Sequence, residues 1–332
     1  MSQILNIFYE EPNHDRWLKY DRYPRQMVRR LIRGKSKPGG VMMVALELMK
    51  GLDILKVPYR FNDYNYAKKN PYELICVIGK PHLIFEKRFK NPIIFGAGVF
   101  SHPLVCPNFF DDYPNVKKML VPGEWMRLMC QPFYKNKVES WAVGIDTDKW
   151  SPEFKKNALS IDFLIYDKIR WERPLYEKEL LNPIIVELKS QGLSHHTILY
   201  GSYTHEDLID RLSVSKAVIF LCEHETQGIA YQQILSTGTP ILAWDQEGYW
   251  KDPSFFPHLV KYKPVSAVPY WDNNCGIKFK DLKDFKESLA LFMSKLNTFS
   301  PRTYILKNLT LALCAQHYVN IVKAVNEDIT NS

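Results

Sequence analysis

Residues 222–245 read CEHETQGIAYQQILSTGTPILAWD, and the order of elements within them decides the fold. The run leading in, 217–222, is continuously apolar and β-branched, which is the composition of a strand buried on both faces. A polar loop follows, then Gly228, then the helically periodic segment 228–237, then Gly238-Thr239-Pro240 and a second buried run at 240–244. A buried strand, a turn, a helix and another buried strand make a βαβ unit, whose strands lie parallel. Working outward, apolar runs at 162–166 and 197–200 alternate with helical periodicity at 175–191 and 205–214. The second half of the chain therefore reads as a Rossmann-like α/β domain.

The first half repeats the alternation with more interruption. Strands are expected at 4–9, 58–61, 74–78, 92–95, 118–121 and 140–143, and a helix at 41–51 just after the chain-breaking Gly39-Gly40. The polar stretch 144–159, carrying Trp150-Ser151-Pro152, is the expected linker. Two domains follow, 1–150 and 151–332, with the tail at 301–325 forming one or two helices whose part near 305–325 packs back on the first domain. Open α/β sheets bind ligands beyond the carboxyl ends of their strands, so two such domains are expected to face each other across a ligand-binding cleft.

With 332 residues and 46% hydrophobic content the chain is long enough for two packed cores and excludes a disordered or fibrous protein. Its longest apolar runs fall far short of the ~20 residues that span a bilayer. The N-terminus, Met-Ser-Gln followed by a short apolar strand, carries no charged leader with a cleavage site, so a cytoplasmic location is expected. The six cysteines are scattered without a CxxC pair and read as reduced, structural side chains. His195-His196 has no carboxylate or cysteine at ligand spacing, and no metal is expected.

The net charge of +8 is concentrated in part between Arg22 and Lys37, where Arg25, Arg29, Arg30, Arg33 and Lys35 are interleaved with Tyr23, Met27, Val28, Leu31 and Ile32. Two readings of segment 22–37 stand open: a solvated helix face, or a surface for phosphates, anionic lipid or nucleic acid. The chain carries no recognisable nucleic-acid module, so peripheral contact with an anionic membrane is the expected partner among these, and nucleic acid is not.

The residues around Gly228 carry the chemistry. A glycine opening a helix after a buried strand presents main-chain N–H groups to an anion, as a diphosphate requires. Glu225, just before that turn, either accepts hydrogen bonds from sugar hydroxyls or caps the helix, and the residues alone leave both open.

Segment 222–245 resembles the signature of the retaining family-4 glycosyltransferases. Glu225 matches the family's first glutamate, Gly228 the second glycine of its turn, and Gly238 with Pro240 the turn before the next strand. Gln233, eight residues after Glu225, stands where the family has a second glutamate that holds the donor ribose, and Thr226-Gln227 replace its Gly-aromatic pair. The stretch VGIDTDKWSP at 143–152 resembles the family's interdomain segment, and Val121-Pro122-Gly123-Glu124-Trp125-Met126 its strand-to-helix segment. Lys168 and Arg173, five residues apart after the first strand of the second half, resemble the family's arginine and lysine that neutralise the leaving diphosphate.

What the resemblance implies is a GT-B fold of two Rossmann-like domains, the first binding an acceptor and the second a nucleotide-sugar donor. It implies glycosyl transfer with retention, without a metal or other cofactor, to an acceptor the sequence does not identify. Glu225, Lys168, Arg173 and His102, the last in the loop Ser101-His102-Pro103, are the implied catalytic residues. Gly39, Gly40, Tyr203, Thr226, Gln227, Gly228, Ile229 and Gln233 are the implied donor contacts. A sugar-nucleotide epimerase or inverting transferase on the same fold is the competing enzyme class. A sugar-nucleotide or nucleic-acid binding protein without catalysis is the competing class outside enzymes.

Overall fold

The computed structural model describes residues 4–11 and 40–331. The basic segment 22–37 and Gly39 lie outside the described residues. The described chain divides into two compact units. The first runs up to Pro122 and takes in Cys130–Gly144 and the chain from Leu311 onward; the second comprises Gly123–Met129 and Ile145–Thr310.

The first unit is built on a parallel sheet of β1 (Leu5–Phe8), β2 (Tyr59–Phe61), β3 (Ile75–Gly79), β4 (Ile93–Ala97), β5 (Val116–Val121) and β6 (Val138–Ser140), in the order β2-β1-β3-β4-β5-β6. β1, β3 and β4 are buried at every position, as strands covered on both faces must be. The helix Gly40–Ile54 packs on the C-terminal helix Leu311–Thr330. The contact is close at Gly51, where a Cβ would lie 2.4 Å from the Leu311 carbonyl oxygen and 2.6 Å from Ala315 Cβ.

The strand expected at 140–143 is displaced toward the N-terminus. Trp141 leaves the ladder because its side chain is buried against the C-terminal helix, with the indole N–H donating to the Cys314 carbonyl at 2.9 Å and the ring 4.8 Å from that of Tyr318.

The second unit holds a five-stranded parallel sheet: β7 (Ile161–Lys168), β8 (His195–Leu199), β9 (Ser215–Cys222), β10 (Ile241–Trp244) and β11 (Gly276–Phe279), in the order β11-β10-β9-β7-β8. One face is covered by Ile184, Leu188, Phe285, Leu289 and Phe292 packed on Phe163, Ile165, Ile219 and Leu242. Helix His205–Val214 opens with the expected capping box, Thr204 Oγ1 accepting from Asp207 N and Asp207 from Thr204 N. Strand β11 and the helix Leu282–Lys295 were not legible, since a four-residue strand starting at a glycine offers little periodicity.

Of the stretch 144–159, read as the linker, Gly144 belongs to the first unit and the residues from Ile145 onward to the second. Trp150 is buried, Ile145 N–H donates to the Leu309 carbonyl at 2.8 Å, and Lys155 Nζ donates to the carbonyls of Leu212 and Ser215. The Arg302 guanidinium gathers the carbonyls of Thr147, Trp150 and Ser236, joining the stretch to the end of the helix Ile229–Ser236.

Both sheets place the second strand of the unit on one side of the first and the third on the other. Each therefore has a switch point beside its first strand, where the connections leave in opposite directions. Replacing Gly51 with alanine is expected to destabilise the protein by about 1–3 kcal/mol, because two packed helices must separate to admit the methyl group. Urea unfolding of the variant checks this, as a lower midpoint at unchanged slope.

Candidate functional site

The switch point of the second sheet lies between β7 and β9, which pair with Lys168 opposite Cys222. β7 ends on Asp167 and Lys168; β9 runs past Cys222 into the loop Glu223–Gln227, and Gly228 turns this into the helix Ile229–Ser236. Gly228 has φ +82°, a region favouring glycine, and a Cβ there would lie 2.2 Å from the Tyr231 ring. Tyr231 cannot yield easily, since it is fully buried with its hydroxyl bonded to both the N–H and the carbonyl of Tyr270.

Across this switch point the Lys168 ammonium is ion-paired with the Glu225 carboxylate. Both side chains are about nine-tenths buried, at 10% and 9% exposure. Burial by itself lowers the lysine pKa, but the Glu225 charge and the other groups facing it outweigh that and hold it above the usual value. Lys168 Nζ also lies 4.2 Å from the centre of the Tyr200 ring. Beside it the Tyr166 and Tyr203 hydroxyls are hydrogen-bonded, with Tyr166 stacked on Phe220. The Glu225 carboxylate is thus directed at Lys168, and the following helix begins at Gly228, an N-cap without a side-chain hydrogen bond.

Each further buried carboxylate at these strand ends has its own cation. Asp167 binds Arg173 through both oxygens at 2.7 Å and caps the loop through Ile169 N–H. Glu223 Oε1 accepts the N–H groups of Arg170 and Trp171 at 2.9 Å, while the Arg170 guanidinium donates to the His224 carbonyl at 2.7 Å and covers the Trp171 ring. Asp245, past β10, accepts from Lys278 Nζ at 2.7 Å, from Ser266 Oγ and from Ala267 N–H.

Of the residues singled out in the sequence, Lys168, Glu225, Thr226, Gln227, Gly228, Ile229 and Gln233 fall on this one edge of the sheet. Gln233 is buried on the helix, and Gln227 is fixed by two hydrogen bonds of 3.0 Å, its Nε2 donating to Gln232 Oε1 and its main-chain carbonyl accepting from Gln232 Nε2. Tyr203 is brought in through Tyr166. Arg173 is drawn to Asp167 and Glu177 instead of to Glu225.

In the first unit, Gly40 opens the helix Gly40–Ile54 at the ends of β3 and β4. A Cβ on Gly98 would lie 2.9 Å from the Val41 side chain, and one on Gly79 3.4 Å from it. His102 is buried; its Nδ1 accepts from Leu104 N–H at 3.1 Å and its ring meets Phe133 edge-on.

Glu223, His224 and Asp245 were not singled out, although one signal was present: acidic residues placed directly after apolar strands. Nothing local announced that Trp125 would reach the same loop, where its indole N–H donates to the Glu225 carbonyl at 2.8 Å.

None of the six cysteines forms a disulfide, and all but Cys106 are buried. Among the described residues no group of three or more His, Cys, Asp and Glu side chains is placed to hold a metal ion, and no helix is long and apolar enough to cross a membrane.

No protein-family model and no curated protein matches the chain. Among solved structures it is similar to the GtfA/B complex, at 13% identity and TM-score 0.49, over 81% of this chain and 63% of that one. It thus spans less than two thirds of that chain's length. It is similar to sucrose-phosphate synthase from Thermosynechococcus elongatus, at 10% identity and TM-score 0.49, over 89% and 82% of the two chains. It is also similar to WaaG, a glycosyltransferase involved in lipopolysaccharide biosynthesis, at 11% identity and TM-score 0.42, over 89% and 96%.

The His224 ring, enclosed by Trp125 and Trp171 and bonded through Nε2 to the Lys251 main chain, gives the site a pH signature. Burial, then the Arg170 charge, lowers its pKa from 6.5 to about 4. The unfolded chain binds this proton first, so stability is complete above pH 6.5 and falls as pH drops through the interval toward about 4. The loss amounts to about 3 kcal/mol at 1.36 kcal/mol per unit. Replacing His224 with phenylalanine is expected to remove this part of the slope in urea titrations at a series of pH values.

Proposed function

We propose that the chain is a glycosyltransferase of the GT-B class whose second unit binds a nucleoside-diphosphate sugar. The observation that carries this reading is the convergence, at the switch point between β7 and β9, of the Lys168–Glu225 pair and a glycine-opened helix N-terminus. The N–H groups that open the helix Ile229–Ser236 and the Lys168 ammonium meet the diphosphate, as dipole and charge together favour an anion there.

Phosphate oxygens take the place of the Glu225 carboxylate on Lys168, and Glu225 then receives the hydroxyls of the donor sugar. As the anomeric carbon–phosphate bond breaks, charge grows on the departing diphosphate, and cations already in place stabilise it without reorganising. The acceptor oxygen bonds to the anomeric carbon on the face that the diphosphate leaves, the departing phosphate takes the acceptor's proton, and the configuration is retained, with the protein's own cations in the place of a metal. Tyr203 and Gln233 border the nucleoside, Arg173 supplies further positive charge from its place on Asp167, and His102 and Gly40 belong to the acceptor-binding unit. The basic residues of segment 22–37 attract a membrane-borne acceptor at the cytoplasmic face.

The pairing of every buried strand-end carboxylate with a cation favours a second reading, binding of a nucleotide sugar without transfer, because Lys168 is free for phosphate only once Glu225 gives way.

A thermal-shift and calorimetric panel of UDP, GDP, ADP and their common sugars tests both readings. One of the diphosphates is expected to stabilise the wild type, by about 2.7 kcal/mol at a hundredfold excess over Kd. Lys168→Ala abolishes that shift. Glu225→Ala keeps it while donor hydrolysis falls by about 10²-fold. No shift with any nucleotide, or an undiminished shift in Lys168→Ala, overturns the donor site; binding with no turnover of any donor leaves the second reading.

A further inference from the structure

The Glu225 main chain is gripped at both of its peptide groups. Its N–H donates to the Ser266 carbonyl at 2.9 Å, and its carbonyl accepts the Trp125 indole N–H at 2.8 Å. The Ser266 side is itself anchored, since Ser266 Oγ donates to Asp245 and accepts the Val268 N–H, and Asp245 is ion-paired with Lys278.

The other side is equally built. Trp125 is buried with its ring edge-on to His224, and its carbonyl accepts the Tyr262 hydroxyl at 2.9 Å. Two residues earlier, Gly123 passes so near the same loop that a Cβ there would lie 2.3 Å from the Thr226 carbonyl oxygen. Gly123 and the Trp125 side chain therefore both meet the backbone of Glu225 and Thr226, and only a glycine at 123 permits the close approach.

We infer that Trp125 is a positioning residue: by holding the Glu225 carbonyl it sets the carboxylate on Lys168. Glu225 stands in a loop that has left β9 and has not yet entered a helix, so no regular ladder orients its peptide planes. With the N–H end alone held by Ser266, the plane between Glu225 and Thr226 turns to find another donor for a buried carbonyl, and the side chain turns with it. The consequence for catalysis rests on the donor-site reading proposed above, whereas the grip itself requires no nucleotide.

The test reads Lys168 directly in the full-length protein. Amine acetylation with an N-hydroxysuccinimide ester near neutral pH, followed by mass spectrometry of the Lys168 peptide, measures how firmly the ammonium is held. Trp125→Phe is expected to raise the Lys168 rate on the order of tenfold, equivalent to about 1.4 kcal/mol of pairing, approaching the rate in Glu225→Gln. Trp150→Phe, which opens the core of the same unit at a fully buried tryptophan, is expected to leave that rate unchanged.

Should Trp125→Phe not fold, benzothienylalanine at position 125 keeps the shape of the side chain and replaces only the N–H by sulfur, and the same rise is expected. A wild-type rate in the folded Trp125 variant, or an equal rise in Trp150→Phe, overturns the role. Failure of every nucleotide to bind the wild type would remove the donor-site reading and leave this result standing.

Discussion

A lysine and a glutamate buried side by side where β7 and β9 end are the interaction around which the second unit is arranged. Neither is tolerable alone at such burial: removing one partner of a buried pair costs about 3–5 kcal/mol, because the other is left charged and desolvated. The pair therefore demands that two chain segments 57 residues apart be held to within a hydrogen bond of each other. Parallel pairing of β7 with β9, which sets Lys168 opposite Cys222, provides the lateral register. Gly228 and the buried Tyr231 set where the following helix begins, and Ser266 and Trp125 hold the loop between.

The neighbouring carboxylates follow the same constraint. Asp167, Glu223 and Asp245 each sit at or just beyond the end of a buried strand and are almost fully inaccessible. Each is answered by its own basic residue, Arg173, Arg170 and Lys278, and by main-chain N–H groups. The edge is consequently close to neutral as it stands and contains several cations. In the donor-site reading proposed above, an anionic ligand binds there by exchange, taking a lysine from a glutamate, and the glutamate so released is directed at the polyol that the anion carries.

The residues that carry the resemblance in the sequence, Glu225, Gly228 and Pro240, fall in one continuous βαβ unit, because their spacing is local. The resemblance gives Arg173 to the leaving diphosphate, and in the structure its guanidinium is held by Asp167, six residues earlier. His102 lies in a loop, as the sequence has it, and is buried there with Nδ1 accepting from the Leu104 N–H. These contacts have one source: a side chain's nearest opposite charge or donor is set by what lies beside it in space.

The sequence by itself determined the alternation of strands and helices in both halves and the glycine that opens the helix at 228, since each is dictated by apolar periodicity or by an allowed φ. It also determined the capping box at Thr204 and Asp207, whose partners are three residues apart. Only the tertiary structure decided that Lys168 meets Glu225 and that Trp125 grips the same loop from a hundred residues away. Those contacts join residues whose approach depends on strand order and on which buried group lacks a partner, and neither is written in any window of the sequence.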